Sequence, residues 1–247
     1  MLTRKELKLW ARSGSLRFAL NSRHKNHLKS PEITSIQWNA RPVFYRVGTG
    51  DIGVTHSILL KKGNKAEYFI PRPLQPSIIF DIGGNIGCAA LYFARTYPTA
   101  RVFSFEPIPS NFALLEKNIA PYPNVQGFNI ALGSSNETLQ LIESPDCHNL
   151  GGYSIYQRGA TAECNRVSVT CRNINDFMHE TDVIPDLIKV DTEGAEYLIL
   201  MALPEEVITR VCWIVGELHG ENDFELLAHL SKWFEIGIRK SVNAPPL

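Results

Sequence analysis

Five short runs rich in Val, Ile and Phe punctuate the chain beyond about residue 76: 77–81 (SIIFD), 101–106 (RVFSFE), 125–132 (VQGFNIAL), 187–191 (LIKVD) and 211–217 (VCWIVGE). They mostly lack polar alternation, as strands buried on both faces do. Helix candidates at 86–96 and 110–120 separate the first three, the second opened by Pro109 with Ser110 as its cap. This βαβαβ pattern predicts an α/β fold, a doubly wound, mainly parallel sheet that binds ligands at the carboxyl ends of its strands. With 247 residues, 44% of them hydrophobic, the chain can bury one large domain and carry an appendage. The expected division is a basic extension over 1–75 packing on the core, a catalytic or binding domain over 76–247, and an insert at 134–172.

The first run ends in FDIGGNIG (80–87), where a buried strand stops on Asp81 and hands over to a loop with three glycines. Glycine lets the main chain approach a ligand closely and take positive φ, so the loop reads as a ligand seat; a tight βα turn asks for the same residues. Glu106 ends the second run 23 residues after Gly83, where an acidic side chain accepts two hydrogen bonds from a ribose diol. Dinucleotides and S-adenosylmethionine both fit that spacing. A dinucleotide site requires G-x-G-x-x-G, whereas this chain reads GGNIGC from Gly83, and Asp81 would repel a pyrophosphate. S-adenosylmethionine has no phosphate, and its ammonium group welcomes the Asp81 carboxylate. The pattern therefore favours it.

Formal net charge is zero, but 14 of the 25 Lys and Arg residues and only 4 of the 25 Asp and Glu residues fall in positions 1–75. LKLWARSGSLRFALNSRHKNHLK mixes Leu, Trp and Phe with basic residues, as helices on an anionic membrane surface do. A helix packed on the core with a solvated basic face has the same composition, and Gly14 favours that reading by interrupting the pattern. Peripheral membrane contact is the alternative. Nucleic acid is not an expected partner, because the acidic remainder would repel a phosphate backbone. No apolar run approaches the roughly 20 residues of a membrane span, and MLTRKELKLWARSG lacks the apolar core of a secretory signal, so a cytoplasmic location is expected. Cys88, Cys147, Cys164, Cys171 and Cys212 are odd in number and form no Cys-x-x-Cys pair, hence read as free thiols.

After FDIGGNIG come FSFEPIPSNFALLEKNI (103–119), NIALG (129–133), LIKVDTEGAE (187–196) and GELH (216–219), an order that resembles the FkbM-type methyltransferases. VGTGDIGVTHSILL (47–60) also resembles that family's leading segment, so the likeness spans roughly residues 43–220. The resemblance implies the class I, Rossmann-like, S-adenosylmethionine-dependent fold and methylation of a hydroxyl on a sugar or related natural product. A deoxyhexose in an oligosaccharide or glycolipid is the implied acceptor. By the same resemblance Gly83, Gly84, Asn85 and Gly87 lie under the methionine portion with Asp81 nearby. Glu106 takes the ribose, Asn129 to Leu132 with Ala131 border the adenine, and Asp191 sits beneath the sulfonium. One departure stands at the C-terminus: class I folds close on a β-hairpin, yet only NAPPL follows EIGIRKSV (235–242).

Methyl transfer is an in-line displacement, so the site must align a hydroxyl with the methyl and help remove a proton, a service worth roughly 10²–10⁴-fold. Asp191, Glu193, Glu196, Glu217 and His219 stand near strand ends. His219, neutral and directly after the fifth run, is the expected base, with Asp191 and Glu193 completing the catalytic set; a capping histidine would look the same. Glu196 suits a helix start. Asp191, Glu217 and His219 could also hold Mg²⁺, but no spacing demands it and no metal is assigned. The insert carries His148, Asn149 and Tyr153, with Tyr156 and Arg158, a set suited to gripping a small-molecule or glycan substrate; a β-rich surface excursion would carry the same residues.

Two other classes share these features. A nucleic-acid methyltransferase has the same fold, but its amino-methylating members carry Asn/Asp-Pro-Pro-aromatic where this chain has Asp191-Thr192-Glu193-Gly194. A non-catalytic nucleoside-binding module would keep the glycines.

Overall fold

The computed structural model describes residues 1–23, 31–142, 153 and 165–238. A capping box opens α1 (Arg4–Ser13): Thr3 accepts from the Glu6 amide, and Glu6 Oε2 accepts from the Thr3 amide at 2.6 Å. Gly14 closes it at φ 67°, so the glycine that interrupts the sequence pattern is a C-cap. There follow α2 (Leu16–Asn21), an antiparallel hairpin of β1 (Ile33–Trp38) and β2 (Arg41–Arg46), and α3 (Asp51–Thr55), which runs into a π-helical turn at His56–Leu60. Leu9, Phe18, Val43, Tyr45 and Tyr68 are buried in one cluster with Ile79, Leu91 and Leu115. The described part of residues 1–75 thus shares its core with the sheet that follows.

That sheet is built from β3 (Ile78–Ile82), α4 (Cys88–Thr96), β4 (Arg101–Phe105), α5 (Pro109–Ile119) and β5 (Val125–Phe128). After β5 come β6 (Ala131–Gly133), β7 (Glu137–Ile142), β8 (Arg166–Asn173) and α6 (Ile174–Thr181). The chain then re-enters the sheet through β9 (Leu187–Val190), α7 (Glu196–Met201), α8 (Glu205–Ile208) and β10 (Trp213–Gly216), and continues into α9 (Asp223–Leu230). Strand order is β10-β9-β3-β4-β5, every pairing parallel. The direction of winding reverses between β3 and β9, and a crevice opens there at the carboxyl ends.

Two local expectations need correction. The run 125–132 is not one strand: β5 stops at Phe128, and Ala131 begins a second, three-stranded sheet of order β6-β8-β7. Asn129 holds the break, donating from Nδ2 to Glu106 O at 2.9 Å and Pro107 O at 3.0 Å. Helix α5 begins one residue earlier than predicted, with Pro109 in its first turn and Ile108 as a cap that makes no side-chain bond, so Ser110 caps nothing. The described part of the 134–172 insert is β7 and most of β8, paired antiparallel. His148, Asn149, Tyr156, Arg158, Cys147, Cys164 and the stretch 239–247 lie outside the described residues. Cys88, Cys171 and Cys212 are free thiols. Among the described residues no helix is long and apolar enough to cross a membrane.

Candidate active site

The crevice is lined from four of the five strand ends. Gly83 and Asn85 follow β3, Glu106 and Ile108 follow β4, Ile130 to Leu132 follow β5, and Asp191, Thr192 and Glu193 follow β9. Val54 of α3, Tyr153, and Leu139 and Leu141 of β7 complete the wall. Of the residues predicted from sequence for cofactor, catalysis or substrate, Gly83, Asn85, Glu106, Ala131, Tyr153, Asp191 and Glu193 therefore meet in one place.

The glycines of the loop owe their presence to the protein's own packing. At Gly83, φ is +80° and a Cβ would stand 1.9 Å from the Asp191 carbonyl oxygen. At Gly84 a Cβ would stand 2.4 Å from Ser104 Oγ and 2.7 Å from a Leu115 methyl, so β4 and α5 fill the space that sequence reading reserves for a ligand. Gly87, at φ 89°, starts α4. Strand-to-strand closeness, more than ligand contact, explains this glycine-rich turn.

Asp81 is likewise turned inward. Its side chain is fully buried, accepts from Ser104 Oγ at 2.7 Å and pairs with Lys189 Nζ at 3.2 Å. It is therefore not the acid that meets a ligand's ammonium. Lys189 went unassigned in the sequence, although LIKVD signals it: a lysine inside an apolar run, in register with Asp81 across β3 and β9. Burial works against its charge, but the Asp81 and Asp191 carboxylates hold its ammonium above the usual lysine range. It donates to Ile82 O at 3.1 Å and Gly83 O at 2.5 Å, fixing the start of the loop.

Glu106 organises the other side. Its Oε2 accepts from the Asn85 amide at 2.8 Å, and its Oε1 from the Ile108 amide at 2.9 Å and Asn111 Nδ2 at 3.4 Å. Burial pushes its carboxyl above the ordinary range despite these donors. Beside it, Asn85 Oδ1 is buried with no hydrogen-bond partner. Asn85 is held at φ 49°, a conformation asparagine tolerates better than most residues.

Four carboxylates converge on His219. Its Nδ1 lies 3.2 Å from Glu196 Oε1 and 4.0 Å from Asp191 Oδ1; its Nε2 lies 3.7 Å from Glu217 Oε2 and 4.0 Å from Glu193 Oε2. The hydrogen bond to Glu196, reinforced by the surrounding negative charge and opposed by burial, raises its pKa to about 9. That value leaves the imidazole cationic at neutral pH, where the sequence reading takes it as a neutral base. Glu196 is fully buried, accepting from the Thr192 and Gly194 amides as well as from His219. Glu193, at φ 56° on the crevice wall, has its carboxyl pushed up by burial. One oxygen or nitrogen from each of Asp191, Glu217 and His219 lies within 4.8 Å of the others, the arrangement anticipated for a metal-holding triad.

The profile of the Methyltransferase FkbM domain matches residues 81–237. The chain is 30% identical over 193 residues to Methyltransferase 1 of Beauveria bassiana (strain ARSEF 2860), covering 69% of this chain and 77% of that protein. It is 28% identical over 160 residues to the 2-O-methyltransferase NoeI of Sinorhizobium fredii, covering 60% of this chain and 65% of that one. Against the hexuronic acid methyltransferase AglP of Haloferax volcanii it is 28% identical over 153 residues, 60% of this chain and 59% of that one. A parallel sheet wound about a crevice of acids, and a family match over most of the chain, lead to one statement: this protein belongs to the FkbM methyltransferase family.

Proposed function

We propose that the chain is an S-adenosylmethionine-dependent O-methyltransferase acting on a sugar hydroxyl. The observation that carries this reading is the mixed lining of the crevice: the Glu106 carboxyl and Asn85, whose buried Oδ1 has no hydrogen-bond partner, stand together with Ile130, Leu132, Leu139 and Leu141. Such a crevice suits a nucleoside with a free ammonium group: Glu106 for the ribose diol, the aliphatic wall for the ring, and Asn85 Oδ1 as acceptor for a donor it now lacks. When bound, S-adenosylmethionine supplies a methyl group on a positively charged sulfur.

The remaining work falls to side chains near β9 and β10. Four carboxylates around one imidazolium leave this cluster net negative, complementary to a cation, and two of them, Asp191 and Glu193, line the crevice. Glu193 lines the crevice and, with its raised pKa, is the better-placed acceptor for the hydroxyl proton. His219, positively charged, holds the acids in position. Asp191 faces the crevice beside Gly83.

Support for a sugar comes from the relatives whose names specify 2-O-methylation and a hexuronic acid, and from Tyr153, whose ring borders the crevice. The deciding experiment measures release of S-adenosylhomocysteine with a panel of oligosaccharides and glycolipids, with nucleic acid, and with no acceptor. Mass spectrometry should find the new methyl on a sugar oxygen. A methyl on nitrogen or carbon, or turnover with nucleic acid alone, would sink the proposal.

A further inference from the structure

The residues ahead of the FkbM profile match, which begins at residue 81, reach into the site from outside it. Tyr68 is buried, and its hydroxyl donates to Asp191 Oδ2 at 2.8 Å across 123 residues of sequence. The other carboxylate oxygen, Oδ1, is the one turned toward His219. Tyr68 also packs against Phe93 of α4, with ring centroids 6.3 Å apart, and lies 5.5 Å under Lys189 Nζ. The same leading segment supports the second acid of the crevice. Arg46, paired with Asp51 through both Nε and Nη2, donates from Nη1 to Asn111 Oδ1 at 2.8 Å, and Asn111 in turn donates to Glu106.

We propose that Tyr68 is a positioning residue of the transfer site, fixing the orientation in which the Asp191 carboxylate meets the cofactor. An aspartate at a strand end rotates freely about its last bond unless one oxygen is held. A hydroxyl donor fixed by aromatic packing holds it, and desolvation together with the neighbouring acids keeps that hydroxyl protonated well above the ordinary tyrosine range. The leading segment therefore completes the crevice with Val54 as wall and Tyr68 as clamp. This inference rests on the cofactor reading given above.

The test is a double-mutant cycle on binding of S-adenosylhomocysteine, followed by calorimetry, with Tyr68→Phe, Asp191→Ala and the pair. Tyr68→Phe keeps the ring and its packing and removes only the donor. It should weaken binding about tenfold or more in the wild-type background and by less than twofold when Asp191 is already Ala. A purely structural tyrosine would cost the same in both backgrounds, which would overturn the proposal, as would unchanged affinity in Tyr68→Phe. If the wild-type chain binds no S-adenosylhomocysteine, the cofactor reading falls and the proposal with it, so the two failures are distinct. Amide exchange reads the same bond should Tyr68→Phe fold poorly. Asp191→Ala should speed exchange at Glu67 and Phe69, whose amides are hydrogen-bonded to Ser57 O and Ala66 O; unchanged exchange there would also overturn it.

Discussion

Lys189 Nζ lies 3.2 Å from Asp81 Oδ1, and both side chains are shut away from solvent in adjacent strands. A buried pair of this kind adds little by existing, but breaking it strands a charge. Lys189→Met should destabilise the fold by about 3–5 kcal/mol, read as a lower urea midpoint, because Asp81 is left without its partner. Adding Asp81→Asn to it should recover much of that loss. A Lys189→Met protein as stable as wild type would remove the ion pair from the account.

Gly84 faces Leu115 and Ser104 more closely than any Cβ could tolerate. Gly84→Ala should cost about 1–3 kcal/mol by overpacking. Combining it with Leu115→Ala should give a loss smaller than the sum of the two single changes, since the shortened side chain vacates the contested space. Strict additivity would mean that the glycine serves something other than packing.

His219 carries a pH signature. Its folded-state pKa of about 9 exceeds the ordinary imidazole value of 6.5, so the folded chain binds this proton more tightly than the unfolded one. The resulting stability is fully present below about pH 6.5 and is lost as pH rises through about 9. Thermal melts of wild type and His219→Gln should differ most near pH 6 and converge above pH 9. A gap that is constant with pH would show that the ring is held by packing alone.

The proposed division of the proton chemistry between Glu193 and His219 can be read from activity. Glu193→Gln should lower kcat by about 10²-fold or more while changing S-adenosylhomocysteine affinity little. The wild-type kcat/KM should rise through an ionisation above the usual glutamate range, stay level across neutrality and fall near the His219 pKa of about 9. A single rise between pH 6 and 7 would return the base role to His219. Loss of turnover in a chelator, restored by Mg²⁺, would instead point to an ion among Asp191, Glu217 and His219.

Glu106 joins the cofactor's expected ribose position to the loop's own amides. Glu106→Ala should weaken S-adenosylhomocysteine binding by about 1.5–3 kcal/mol and also lower the melting temperature, because the Asn85 and Ile108 amides lose their acceptor. Calorimetry beside thermal melts separates the two effects; unchanged affinity would take Glu106 off the ribose.

What the sequence determined by itself is what local pattern encodes. Apolar runs without alternation marked all five strands of the parallel sheet, and their spacing placed Glu106, Asp191 and Glu193 at carboxyl ends, where such sheets bind ligands. Even so, the pattern carried the third run past Phe128, because the break there depends on Asn129 bonding to carbonyls of a different strand end. Only the tertiary structure decided which way each charged side chain points. Asp81 and Glu106 read alike as acids ending strands, yet one is neutralised inside the sheet by Lys189 and the other opens on the crevice. His219 read as a neutral base, and four carboxylates from two chain segments, three of them within 191–196, raise its pKa to about 9. Tyr68 carried no signal at all, since its partner lies 123 residues away. A side chain's charge state and hydrogen-bond partner depend on the field of groups brought near it by folding, and sequence spacing does not record that distance.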